Sequence, residues 1–320
     1  MTQALVGLRD IEAAAERIAG VVRRTPLLCT RLGRTDAPLF VKAECLQVGG
    51  SFKLRGATNA VALLSGEQRA RGVITHSSGN HAQALARAAR AAGIDATIVM
   101  PRQTPEVKRV ATAEQGAEVV LVDISQRAAE LERIQAQTGA VFVSPFDDAA
   151  VVAGQGTIGL EVLDDLPEVA TVLVPVSGGG LISGIAAAIK ATAPQVRIIG
   201  VEPELAGDLA EGFARGTRVT WDSADTGRTI ADGLRVPTVG ELTWRHITAL
   251  VDDVVTVSED AIRSAMRAVV LDAKVVAEPS GAVAVAGYLA HSDVVGPGPA
   301  VAIISGGNVE PALLRDVLAG

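Results

Sequence analysis

The stretch Gly72–Met100, GVITHSSGNHAQALARAARAAGIDATIVM, decides the fold class. Gly72–His76 (GVITH) is apolar and β-branched, the pattern of a short strand. Asn80–Ala92 (NHAQALARAARAA) is rich in alanine, the best helix former. Ala96–Met100 is apolar again and stops at Pro101, a second strand. Strand, helix and strand in this order form a βαβ unit, which implies parallel pairing under a helical cover. The rhythm continues outward. Pro105–Gln115 reads as a helix with proline near its first position, where the missing N–H does no harm. Glu118–Val122 and Val141–Val143 read as strands around a helix at Ser125–Gln137. In the second half, Thr171–Val176 (TVLVPV), Arg197–Glu202 and Ala300–Ile304 (AVAII) read as strands, and Leu181–Ala191 as a helix. Ser258 is placed to cap a helix running to about Ala273, with Glu259 and Asp260 in its first turn. Leu205–Gly240 is glycine-rich and weakly periodic, the mark of a loop-built wall rather than a sheet element. The two α/β blocks meet near Phe146–Gly156. No repeat or low-complexity tract interrupts the pattern.

Composition narrows the classes. With 320 residues and 48% hydrophobic content the chain can build a large core, or two. Only 2% is aromatic, so Ala, Val, Leu and Ile must fill it. A net charge of −7 argues against a nucleic-acid or anionic-membrane surface. Two cysteines, Cys29 and Cys45, form no CxxC and no disulfide framework. They are expected as reduced thiols of a cytoplasmic protein. The start, MTQALVGLRDIEAAAERIAG, reads as an amphipathic helix carrying acids, not as a signal peptide. No apolar run approaches the roughly 18 residues of a membrane span.

Three polar stretches interrupt the alternation where chemistry is expected. Ser51-Phe52-Lys53-Leu54-Arg55-Gly56-Ala57 opens a helix, with Ser51 as its expected cap and Phe52 and Leu54 expected to be buried. Most lysines are solvated. One at a helix start lies near the positive dipole end, which lowers its pKa and leaves the neutral amine needed for an imine. Ser77-Ser78-Gly79-Asn80-His81 is either an ordinary polar turn or a carboxylate site made of amides and hydroxyls at a helix start. Ser177-Gly178-Gly179-Gly180 lies between a strand and a helix. It is neither a Walker loop nor a GxGxxG fingerprint, but its glycines let amides approach a phosphate. Together these features point to an aldehyde cofactor with a phosphate tail, held covalently by Lys53. Asn80 is then placed to donate to a ring oxygen, and Ser305, in SGGN (305–308), to meet a ring nitrogen. Glu202 and Asp208 in EPELAGD are either solvated acids or oxygen ligands for Mg²⁺ or Ca²⁺. The histidines His76, His81, His246 and His291 are scattered and read as structural.

In order, RTPL (24–27), SFKLRGA, THSSGNHAQALA, AGQGTIGLE (153–161), VPVSGGGL, ADGL (231–234), EPSGA (278–282) and SGGN carry a resemblance over nearly the whole chain. The sequence resembles the fold-type II pyridoxal-phosphate enzymes, in particular the serine/threonine dehydratase and serine racemase family. The resemblance implies a two-domain α/β fold with parallel open sheets, like the tryptophan synthase β chain, and the cofactor in the interdomain cleft. Residues 1–65 and 150–320 would form a large cofactor domain, and 66–149 an inserted small domain. Lys53 would carry the cofactor as an imine and move the α-proton. Phe52 would pack on the ring, Asn80 would bind its hydroxyl, and Ser305 its nitrogen. Ser177, Gly178, Gly179, Gly180 and Leu181 would cradle the phosphate, with Ser at the first position where some relatives have Gly. Ser78 would act from the face opposite the lysine. Ser77, Ser78, Gly79, Asn80, His81, Arg127 and Val236 would line the substrate pocket. Glu202, the carbonyl of Ala206 and Asp208 would hold the cation.

The resemblance thus implies loss of water from L-threonine or L-serine, giving a 2-oxo acid and ammonia. Serine racemase and 3-hydroxyaspartate dehydratase use the same Lys/Ser pair and remain alternatives. Val236 offers a methyl-sized surface that suits threonine, whereas Arg127 is either a solvated helix arginine or a partner for a second substrate carboxylate. A non-catalytic binding protein and a β-replacement synthase fit the motifs less well. A homodimer acting on small amino acids, without nucleic-acid or membrane partners, is expected.

Overall fold

The computed structural model describes residues 4–320; residues 1–3, which the expected N-terminal helix included, lie outside them. The chain runs α1 (Leu8–Ile18), β1 (Leu27–Cys29), β2 (Leu39–Ala43), α2 (Lys53–Ala62), α3 (Gly66–Arg71), β3 (Val73–His76), α4 (Asn80–Ala91), β4 (Ala96–Pro101) and α5 (Glu106–Ala113). It continues through β5 (Glu118–Val122), α6 (Arg127–Thr138), β6 (Val141–Phe142), α7 (Ala149–Asp165), β7 (Thr171–Pro175), α8 (Gly180–Thr192), β8 (Arg197–Pro203), α9 (Asp208–Arg215) and α10 (Ser223–Thr226). It closes with α11 (Glu241–Leu250), β9 (Asp253–Val257), α12 (Glu259–Ala268), α13 (Pro279–Ala290), α14 (Ser292–Val295), β10 (Ala300–Ile304) and α15 (Pro311–Ala319).

The strands form two sheets, ordered β1-β2-β10-β7-β8-β9 and β5-β4-β3-β6. Every neighbour pair is parallel except β1–β2, which is antiparallel. Strands from both ends of the sequence thus share one sheet, and all four strands between 73 and 142 make the other. The strand alternation sorts the core of the larger sheet. On β10, Ala300, Ala302 and Ile304 face a cluster with Met266, Ala282 and Val285 of α12 and α13. Val301 and Ile303 face the opposite cluster with Ile158, Ile182 and Ile185 of α7 and α8. Each buried Ile or Val is worth about 1.5–3 kcal/mol, so helices on both faces are needed to cover the sheet. The smaller sheet repeats the scheme, with α4 and α2 on one face and α6 on the other.

Close helix approach is what fits these layers together. A methyl on Gly154 of α7 would lie 2.6 Å from the Cα of Gly56 on α2. One on Gly184 of α8 would lie 2.3 Å from the carbonyl of Val152 on α7. Helix α7 is therefore wedged between the helix that begins with Lys53 and the helix that begins with Gly180.

Several sequence expectations differ from this fold. Ser51 does not cap α2: it is bridged to Gly306, and the N-cap position falls on Phe52, which makes no side-chain capping bond. The Gln155 amide on α7 accepts the Gly56 N–H instead, at 3.2 Å. Leu54 is buried but Phe52 only half so. Strands β1, β2 and β9 are short and lie next to polar or proline-containing segments, which hid them. The Leu205–Gly240 wall adds no strand, yet it contains α9, whose Leu209 and Gly212 are buried. The helix after Ser258 is α-helical to Ala268 and ends in a π turn at Val269–Ala273.

Candidate active site

In a parallel sheet, ligands sit beyond the carboxyl ends of the strands. Three such ends lead into polar stretches, β3 into Ser77–His81, β7 into Ser177–Gly180 and β10 into Ser305–Gly306, and β8 carries Glu202 near its carboxyl end. Lys53 is tied to this rim. The N–H of Phe52 donates to the carbonyl of Ser305 at 3.0 Å. The Lys53 Nζ donates to the carbonyl of Pro145 at 2.7 Å and stands 4.9 Å from the Phe52 ring centre. Burial pushes the amine down to about 8. The direction agrees with the sequence argument, but the cause is loss of solvent rather than the helix end.

The segment after β6 joins the rest. The His81 ring is buried, with Nε2 3.1 Å from the carbonyl of Val143. Burial, helped by the nearby Lys53 charge, pushes its pKa down to about 3, so the ring is neutral. Phe146 underlies the glycine loop: a methyl on Gly178 would stand 2.2 Å from its ring, and one on Gly180 2.9 Å from its backbone. Gly179 has φ +90°, a conformation that favours glycine. Asp147 accepts from the N–H groups of Glu241, Leu242 and Thr243 at 2.9–3.2 Å, capping α11. The Thr243 hydroxyl then donates to the carbonyl of Gly178 at 2.7 Å. With carbonyls and would-be side chains turned into the protein, the N–H groups of Gly178, Gly179, Gly180 and Leu181 meet no acceptor among the described residues. Those of Ser78, Asn80 and His81, at the start of α4, are likewise unpaired, while Gly79 donates to the Ser77 hydroxyl at 3.4 Å. The Ser78 hydroxyl has no hydrogen-bond partner among the described residues.

Asn80 and Ser305 stand in one network. Asn80 Nδ2 donates to Glu278 at 2.6 Å, and Asn80 Oδ1 accepts from Asn308 at 2.8 Å. The Glu278 N–H donates to the carbonyl of Gly306 at 3.0 Å. The Ser305 hydroxyl is buried and donates to the carbonyl of Ser280 at 3.4 Å. Glu278 was missed as a site residue, although it opens the EPSGA stretch. Burial, with the charge of Asp232 added, pushes its carboxyl up to about 7. Val236 also joins the rim, its N–H donating to the Ser177 hydroxyl at 3.3 Å. Arg127 opens α6, half-buried, with no hydrogen-bond or ion-pair partner among the described residues, and its charge reaches His76 at the end of β3. His76 itself stacks on Phe142, and His246 and His291 bond to backbone carbonyls.

Glu202 and Asp208 lie apart, at the end of β8 and the start of α9. Both are buried, and neither pairs with a cation among the described residues. Glu202 accepts from the N–H groups of Leu209 and Ala210, at 3.4 and 2.8 Å. Asp208 Oδ2 is buried without a partner. Burial pushes both carboxyls up, Asp208 to about 7, and Asp208 raises Glu202 further. No cluster of three or more His, Cys, Asp or Glu side chains that could hold a metal ion occurs among the described residues.

The rim, then, offers one desolvated amine and two loops of unpaired N–H groups. The profile of the pyridoxal-phosphate dependent enzymes matches residues 18–306. The chain belongs to this family. This pyridoxal-phosphate dependent enzyme is 45% identical to an L-threonine ammonia-lyase of Thermotoga maritima over 98% of its own length and 78% of that protein's. It is 42% identical to a serine racemase of Oryza sativa subsp. japonica, covering 97% and 93% of the two chains. The solved structure of maize serine racemase superposes with a TM-score of 0.92 at 40% identity, over 99% of this chain and 98% of that one. The residues present suit the cofactor: a cradle of free N–H groups for an anion and a half-buried amine of lowered pKa for an aldehyde.

Proposed function

We propose that this protein removes water from a hydroxyamino acid, L-threonine or L-serine, giving a 2-oxo acid and ammonia. The reading is carried by a single observation, the desolvated Lys53 amine on the same rim as two loops of unpaired N–H groups. It is supported by relatives named for threonine ammonia-lyase activity.

Lys53 would hold pyridoxal phosphate through its amine, and Gly178, Gly179, Gly180 and Leu181 would hold the phosphate, with Ser177 at the loop's first position. Phe52 would pack on the ring, Asn80 would face its hydroxyl and Ser305 its nitrogen. When bound, the cofactor supplies an electron sink for charge that develops at the substrate Cα. Lys53 would act as general base on the Cα proton. With its amine near 8, roughly a tenth is uncharged at pH 7 before any cofactor binds. The Pro145 carbonyl orients Nζ for that transfer. The start of α4 would bind the substrate carboxylate through the N–H groups of Ser78, Asn80 and His81 and the Ser77 hydroxyl. Gly79 shapes that turn, and the buried His81 ring supports it from behind. The free Ser78 hydroxyl is the second proton-transfer group. Val236 would offer an apolar wall to a methyl group, and Arg127 a cation to a second carboxylate.

Glu202, Asp208 and the carbonyl of Ala206 would bind Mg²⁺ or Ca²⁺, supported by two buried, unpaired carboxyls and an orphaned Asp208 oxygen. Residues 1–65 with 150–320 would form a cofactor domain and 66–149 an inserted domain, supported by the division of strands into two sheets. A homodimer in the cytoplasm completes the reading, supported by the resemblance and by the free thiols of Cys29 and Cys45.

A second reading, serine racemase, is favoured by the same Lys53/Ser78 pair and by relatives of that name. Keto-acid and ammonia release measured over threonine, serine and 3-hydroxyaspartate, with chiral analysis of the serine reaction, tests both. Pyruvate should form from L-serine faster than D-serine accumulates; the reverse would make the racemase reading the right one. Lys53→Ala should abolish the absorbance band of the lysine-linked cofactor near the visible edge. A variant that keeps the band would remove the lysine assignment.

A further inference from the structure

Two residues beyond Lys53 stands a guanidinium that the chemistry above does not use. Arg55 is fully buried. Its Nε and Nη2 donate to the two oxygens of Glu44 at 2.9 and 2.8 Å. Its Nη1 and Nη2 donate to the two oxygens of Glu161 at 2.6 and 2.9 Å. Thr157 Oγ1 and the carbonyl of Arg23 accept further bonds at 3.2 and 3.3 Å. Lys42, equally buried, shares Glu161 at 2.7 Å. Residues two apart on a helix point to nearly opposite sides, so Arg55 faces into the body of the protein while Lys53 faces the rim.

A buried ion cluster is a poor source of stability. Desolvation of the ions consumes most of their attraction, and apolar residues of similar volume often do as well or better. Geometry is the better account here. Helix α2 starts at Lys53 with no side-chain cap, so its first turn is not anchored from within. Glu44 follows β2, which is in register with β10, Ala43 opposite Ile304, one residue before Ser305. Glu161 lies on α7, which is packed through Gly156 against the α8 helix that begins at the glycine loop. One planar fork thus spans two elements that lie directly against those carrying Ser305 and Gly178–Gly180. A bidentate guanidinium fixes both direction and distance, which an ammonium does not.

We propose that Arg55, clamped between Glu44 and Glu161, is a positioning residue that sets the place of Lys53 relative to the Ser305 turn and the glycine loop. The proposal rests on the reading of Lys53 as the cofactor-bearing base. Holoenzymes of three variants test it: Arg55→Lys, Arg55→Met/Glu44→Leu, which leaves Glu161 to Lys42, and Lys53→Ala. The measurements are melting temperature, kcat and KM, and the pH at which the lysine-linked cofactor band changes. The double variant should melt within about 5 °C of the wild type. Its kcat should fall about 10- to 100-fold with little change in KM, and its band should change at a different pH. Arg55→Lys should fold and lose a smaller part of kcat. A folded double variant with wild-type kcat and band overturns the proposal. If the double variant does not fold, Arg55→Lys decides alone: kcat within about twofold of wild type and an unmoved band overturn it, since loss of the fork is then without effect. Loss of the band in Lys53→Ala alongside unaffected Arg55 variants sinks the clamp alone; a retained band sinks the Lys53 reading first.

Discussion

At the scale of single residues, the site depends on how far Lys53 is kept from water. Burial disfavours its ammonium form, so between pH 8 and the ordinary value of 10.5 the folded chain binds fewer protons there than the unfolded chain. The contribution of Lys53 to the stability of the cofactor-free protein therefore rises with pH across that window, because the unfolded state is the one holding the proton. Lys53→Met, with no charge to bury, should be more stable than wild type below pH 8. Its advantage should shrink by on the order of 1–3 kcal/mol on reaching pH 10.5, read by urea denaturation of both proteins. Arg127 makes a different claim. With no carboxylate paired to it, Arg127→Ala should lower turnover of 3-hydroxyaspartate more than that of threonine, measured as kcat/KM; equal losses would make it an ordinary helix arginine. Asn80 and the glycine loop stood out in the sequence because each interrupts an apolar pattern between a strand and a helix, and Lys53 because it opens a helix among small and polar residues. Glu278 was not. Its link to Asn80 spans 198 residues, and nothing local marks an acid before Pro279 as buried.

At the scale of elements, α7 determines how close the helix that begins with Lys53 and the helix that begins at the glycine loop can come. The middle of its sequence, AGQGTIGLE, was quoted above for its resemblance and not as a helix, because glycines usually weaken one. They are tolerated because neighbouring helices occupy the space a side chain would need. Gly184→Ala should destabilise by about 1–3 kcal/mol in urea denaturation, since its methyl would meet the Val152 carbonyl. Gly66→Ala is the matched control. Nothing lies within 4 Å of a methyl there, in the first turn of α3, so it should leave stability unchanged or raise it by about 0.4–1 kcal/mol. Local sequence also misplaced the cap of α2. Ser51 is a good capping residue by type, but the bridge to Gly306, bonded through Gly50 and Phe52 on either side of it, holds it in extended pairing one residue before the N-cap, and tertiary pairing overrode local preference.

At the scale of the whole molecule, binding that favours the folded chain adds to its stability by mass action. The Glu202–Asp208 pair joins the end of β8 to α9 and is costly to bury as two carboxylates. A chelator should therefore lower the melting temperature, and Mg²⁺ or Ca²⁺ should restore it. An ion at 100 times its dissociation constant would contribute about 2.7 kcal/mol. The Glu202→Gln/Asp208→Asn variant should be indifferent to both additions, and a wild type equally indifferent would count against the cation.

By itself the amino-acid sequence determined the alternation of strand and helix, the parallel sheets and the identity of the polar turns, since these follow from periodicity and short-range chemistry. Which strands share a sheet, how deeply Lys53 is desolvated, and the partners of Arg55, Asn80 and Asp147 were decided only by the tertiary structure. The physical reason is distance along the chain. The contacts that turn, bury or orient these side chains come from residues 11 to 228 positions away, and burial is a property of packing that no local pattern encodes.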